Sequence, residues 1–72
     1  MASEKDALNV KRRHAETLRR RYSAHTIMVT RDAESDYFIK VLVPPDIAEN
    51  PEPQMIEGVW IRFERSERHR IL

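Results

Sequence analysis

Hydrophobic and polar positions change their period once along this chain, near residue 25. Before that point the apolar residues recur at helical spacing. At about 100° per residue, Leu8, Ala15, Leu18 and Tyr22 fall on one stripe, which Ala7, Val10 and His14 widen on one side. No Pro or Gly interrupts residues 4–22, and Ala, Leu, Lys, Arg and Glu dominate the run, residues that lose little side-chain freedom in a helix. Ser3 followed by Asp6 supplies the short polar residue and downstream acid of a capping box. The spacing predicts an amphipathic helix over residues 4–22 that buries this stripe.

After residue 25 the period drops to two. Residues 26–30, 37–43 and 59–65 alternate and are rich in β-branched and aromatic side chains, the pattern of half-buried strands. Alternation places Ile27 and Val29, then Tyr37, Ile39, Val41 and Val43, then Val59, Ile61 and Phe63 on one face, where the helix stripe can cover them. Polar residues 31–36 read as a hairpin loop. Residues 44–58 read as a long loop that holds all four prolines and the lone glycine. Within it Asp46 can cap a short helical turn through Ile47 and Ala48, and Met55 and Ile56 provide an apolar anchor. The charged tail over residues 66–72 is expected to fray, or to dock through Ile71 and Leu72.

The resulting expectation is one small α+β domain of order α-β-β-β. An N-terminal amphipathic helix packs on a three-stranded antiparallel sheet, with the Pro-rich loop between the second and third strands.

That arrangement leaves a residue. The opposite face of the sheet carries Met28, Phe38, Lys40, Leu42, Trp60 and Arg62, followed by Glu64, and one helix cannot cover both faces. An apolar patch of this kind marks an interaction surface, so these six residues form a candidate partner interface. Three occupants fit: a second copy of the chain, a single-stranded nucleic acid stacking on aromatics between Lys40 and Arg62, or the chain's own loop or tail.

Composition narrows the choice. A chain of 72 residues buries only about 60% of its unfolded surface, and one without cysteine has neither disulfides nor thiolate metal sites to supplement a thin core. Oligomerisation or close packing is the expected supplement. Charged residues make up 35% and hydrophobic ones 40%. The net charge of +1 hides a segregation: residues 1–25 hold seven Lys or Arg against three acids, residues 26–58 two against seven, and residues 59–72 four against two. Basic ends and an acidic middle favour contacts between copies, or within one copy, over uniform attraction to a polyanion.

The solvent side of the helix carries Lys5, Arg12, Arg13, Arg19 and Arg20, a candidate polyanion-binding row. An acidic protein partner is a further reading of this row, and simpler roles compete for the same residues. Arg19, Arg20 and Arg21 meet the negative end of the helix dipole, and Glu16 can pair with Arg20 four residues on.

Catalytic and metal signatures are missing from the pattern. Asp32, Glu34 and Asp36 have the spacing that opens a calcium loop, but Tyr37 stands where that loop needs Gly and Val43 where it needs Glu. His14, His25 and His69 are too scattered for metal-ligand spacing, and Ser3, Ser23, Ser35 and Ser66 lie in no nucleophile motif. A single glycine, Gly58, excludes Gly-rich phosphate loops. No run nears the roughly 20 apolar residues of a membrane span, and residues 1–10 lack the apolar core of a secretory signal.

The sequence therefore predicts a cytoplasmic, non-enzymatic binding module or accessory subunit, with no cofactor and no small-molecule substrate. It should act through protein–protein contact and self-associate through the open sheet face. Nucleic-acid binding through the helix arginines or the aromatic-basic face is the alternative.

Overall fold

The computed structural model describes residues 2–34, 36–46 and 51–65. The expected turn through Ile47 and Ala48 and the docking of Ile71 and Leu72 lie outside the described residues.

Helix α1 spans Glu4–Tyr22. Its start is fixed by both halves of the capping box: the Asp6 N–H donates to Ser3 Oγ at 3.1 Å and the Ser3 N–H donates to Asp6 Oδ2 at 3.4 Å. Its end is fixed by Ser23, which turns into the left-handed region at φ 56° while its N–H donates back to the Arg19 carbonyl. Ala7, Val10 and Leu18 are buried, with Ala15 and Tyr22 partly so. Leu8, expected on the buried stripe, is 44% exposed. It sits at the margin of that stripe, about 80° from Leu18 and farther from Val10, and the sheet does not reach it.

Among the described residues four strands follow: β1 Thr26–Arg31, β2 Tyr37–Val43, β3 Gln54–Ile56 and β4 Val59–Arg65. Their order across the sheet is β1-β2-β4-β3. The α+β class holds, but the expected three-stranded antiparallel sheet is corrected to a mixed sheet of four. β1 pairs antiparallel with β2, β3 antiparallel with β4, and β2 runs parallel to its neighbour β4. The reason lies in residues 54–58. What read as the end of a long loop is a short strand and a two-residue turn, and this extra reversal brings β4 back parallel to β2.

The turn has Glu57 at φ 53° and Gly58 at φ 83°. Positive φ at both central positions is the backbone twist that matches a tight hairpin. A Cβ at Gly58 would meet nothing within 4 Å, so substitution there is resisted by backbone conformation alone. Gly58→Ala is expected to cost about 1 kcal/mol, read as a lowered urea midpoint. An unchanged midpoint would mean that the hairpin does not need this turn.

The core lies between α1 and one face of the sheet. Ile39, Val41, Val59 and Ile61 are fully buried there, with Val43 and Ile27 close behind. Tyr22 closes one end, its ring 4.7 Å from that of Phe63 and its hydroxyl accepting from Gln54 Nε2 at 3.3 Å. The segment before the helix closes the other end. The Ala2 N–H donates to Asp36 Oδ1 at 2.7 Å and the Tyr37 N–H donates to the Ala2 carbonyl at 3.2 Å. Asp32 and Asp36 therefore serve the backbone. Asp32 Oδ1 accepts from the N–H groups of Glu34 and Asp36, organising the β1–β2 loop.

Candidate functional site

Pleating sends Thr26, Met28 and Thr30 of β1, Phe38, Lys40 and Leu42 of β2, and Trp60, Arg62 and Glu64 of β4 to the face away from α1. β3 adds a residue that sequence reasoning left in a loop: Met55, which pairs with Trp60. All six expected interface residues therefore share this face. No described element lies over it, and Trp60 is 40%, Met28 36% and Met55 53% exposed.

Strand register arranges the face in three rows. In one, Thr30 pairs with Phe38 and Trp60 with Met55, and the parallel register places Phe38 beside Trp60. The next row is Met28, Lys40 and Arg62, and the third is Thr26, Leu42 and Glu64. The apolar surface is thus not one unbroken patch, since Lys40 separates Leu42 from Phe38. Its strongest apolar part is the corner formed by Phe38, Trp60 and Met55.

The cations of this face are engaged. Lys40 Nζ lies 3.0 Å from Glu64 Oε1, and an Arg62 Nη lies 3.9 Å from an Asp32 carboxylate oxygen. Arg62 also stacks its guanidinium over the Phe38 ring, 4.2 Å from the centroid, a cation–π contact that holds the long side chain flat on the sheet. Two positive and two negative groups balance, so the face is apolar at one corner and electrically neutral elsewhere.

The second candidate set, on α1, is divided by its own contacts. Arg13 pairs with Glu57 across the fold, and Arg20 with Glu16 at 3.1 Å. Lys5, Arg12 and Arg19 make no ion pair among the described residues. At 1.5 Å rise per residue these three spread over about 20 Å of helix and do not converge.

Glu57 joins the two halves of the molecule. Its carboxylate accepts from Arg13 and lies 3.0 Å from His14 Nε2. A glutamate at positive φ is strained, and these two helix residues hold it in place, so the tight turn rests on a tertiary contact. Hydrogen bonding to His14, then to Arg13, lowers the Glu57 carboxyl below its ordinary value of 4.5. The sign follows: a carboxyl more acidic in the folded state stabilises the fold above about pH 4.5. That contribution is lost as pH falls through the folded-state value. Glu57→Gln should therefore flatten the fall of stability as pH drops below about 4.5, measured as urea midpoint against pH. Equal slopes for the two proteins would remove Glu57 from the account.

Beside this contact, His14, Thr17, Leu18, Arg21, Tyr22, Gln54 and Ile56 line a small cleft of ≈180 Å³ between α1 and β3. Among the described residues no three His, Asp or Glu side chains gather where a metal ion would fit, and no helix is long and apolar enough to cross a membrane. In comparisons with family descriptions, curated proteins and solved structures, the chain matches no family, no curated protein and no solved structure.

Proposed function

We propose that this protein is a small non-enzymatic binding module that works through protein–protein contact, and that the open sheet face associates with the same face of a second copy. The observation that carries the reading is the neutrality of an apolar face over which no described element lies. Phe38, Trp60, Met55 and Met28 offer apolar area, while Lys40 and Arg62 have acids beside them on the same surface. Two such faces meet without net repulsion, and a two-fold axis allows each Lys40 to exchange one Glu64 for the other. Association also supplies burial that a 72-residue chain lacks. A standard interface takes about 800 Å² from each partner, roughly a sixth of the 5035 Å² accessible here.

Nucleic-acid binding has weaker support. Cations that pair with carboxylates release fewer counterions on meeting a phosphate backbone, and that is the condition of Arg13, Arg20, Lys40 and Arg62. Trp60, the lone tryptophan, provides the test. On raising protein concentration its emission should shift to the blue and its quenching by iodide should fall, while single-stranded RNA at low salt leaves both unchanged. Emission that is independent of protein concentration but responsive to RNA would replace this reading with the nucleic-acid one.

A further inference from the structure

We propose that the outer edge of β1, together with the flank of α1 beside it, is a second docking surface. It takes an extended strand of a partner protein whose helix-facing side chains are apolar and acidic. Three independent observations carry this.

The first is the backbone. Among the described residues β1 stands at one end of the strand order and pairs with β2 through six successive residues, and at its start the His25 N–H also donates to the carbonyl of Leu42, the partner of Thr26. The Asp32 N–H donates to the Asp36 carbonyl at 3.0 Å, continuing that ladder. Antiparallel ladders alternate, so the peptide groups of Thr30, Met28 and Thr26 turn toward β2, and those of Arg31, Val29 and Ile27 turn outward. Edges are ordinarily blunted by proline, bulges, inward charges or shortness. The opposite edge follows that rule: β3 has three residues and follows Pro51-Glu52-Pro53. β1 has six residues, no Pro or Gly, and its one charged residue at its last position.

The second is the exposed leucine. Arg13 and His14 hold α1 to the β3–β4 turn. Leu8, Arg12 and Ala15 lie about 100° or more around the helix from His14, on the flank toward β1. Leu8, Lys11, Arg12 and Ala15, all on α1, are the described residues lining an open surface groove of ≈330 Å³. A strand hydrogen-bonded to β1 would set its helix-side residues against this groove and continue the core outward.

The third is charge, and it selects the occupant. Lys11, Arg12 and Arg19 make no ion pair among the described residues. A second copy placed on this edge by a two-fold axis would bring two such flanks together, with like charges facing. A strand carrying Asp or Glu answers them. Strand addition draws affinity from main-chain hydrogen bonds and specificity from alternate side chains, and here the alternate side chains meet Leu8 and a row of cations.

The peptide Glu-Thr-Val-Thr-Ile-Thr-Glu, with its first, third, fifth and seventh residues on the helix side, is a suitable probe. Titrated into the ¹⁵N-labelled full chain, it should slow the exchange of the Ile27, Val29 and Arg31 amide protons with water. Replacing both Glu by Lys, or introducing Arg12→Glu, should weaken binding about tenfold. The proposal is overturned if those three amides exchange unchanged at millimolar peptide, or if the Lys peptide binds as tightly. It is also overturned if the same amides become protected on raising protein concentration without peptide, since a second copy would then own the edge. Running the concentration series on Trp60→Glu, which removes association through the open sheet face, separates protection at this edge from protection by that association.

Discussion

Replacing Ile39 by alanine is expected to remove about 3 kcal/mol of folding free energy. Ile39 has no accessible surface and stands at the middle of the sheet, with Val29 beside it on β1 and Ile61 on β4. Both neighbouring strands and α1 are fixed by other contacts, so the site cannot collapse easily onto the missing methyl groups, and the cavity term adds to the lost transfer energy. A chain of this length has about 4–11 kcal/mol to lose, so the variant should be substantially unfolded at modest urea, or already at 37 °C. Met55→Ala is the contrast. More than half of Met55 is exposed, and its removal should cost under about 1 kcal/mol. Urea titrations followed by circular dichroism would measure both. Equal losses would contradict the division of the sheet into a buried face and an open one.

The second large effect concerns association. Trp60→Glu places a charge in the apolar corner of Phe38, Trp60 and Met55, where it would have to lose its water on contact with a second copy. Central aromatic residues contribute about 2 kcal/mol or more to such contacts, and a buried unpaired charge adds to the loss. Self-association should weaken at least about a hundredfold. Folding should change little, because the side chain is 40% exposed and points away from α1. Arg62→Ala should act more mildly, since it removes the cover over Phe38 and leaves Asp32 without its cation.

Much of this was legible in the sequence, and what was not has identifiable causes. The helix announced itself through Ser3, Asp6 and a run free of Pro and Gly, all local signals. The alternation of Ile27, Val29, Ile39, Val41, Val59 and Ile61 separated the buried face from the open one, because a period of two assigns faces whichever strands are neighbours. It does not assign neighbours, and there the reading failed. Gln54-Met55-Ile56 is too short to show a period, and it follows Pro53. The turn after it opens with Glu where Asn, Asp or Gly would have been the signal for a tight hairpin. Glu57 occupies that position with help from Arg13 and His14, more than forty residues away in sequence, and such help cannot be seen in a local window. Without β3, a β4 joined to β2 by a loop reads as antiparallel to it, and Met55 falls outside the face it belongs to.

The same distinction applies to the candidate sites. Parity alone placed Met28, Phe38, Lys40, Leu42, Trp60 and Arg62 together. Parity could not show that Lys40 reaches Glu64 or that Arg62 lies flat on Phe38, because those contacts depend on which strands are adjacent. On the helix, the Glu16–Arg20 pair was legible from its spacing of four residues, whereas the Arg13–Glu57 pair was not. The exposure of Leu8 depends on where the sheet ends beneath α1, which the helical period alone does not give.

Sedimentation equilibrium of the full chain over a hundredfold range of concentration tests the central claim, that the open sheet face meets a second copy, most directly. The weight-average mass should rise from 8.6 kDa toward twice that value, with Trp60→Glu remaining at the lower value throughout. A wild-type mass that stays at 8.6 kDa up to millimolar protein, or a Trp60→Glu variant that assembles as the wild type does, would contradict it.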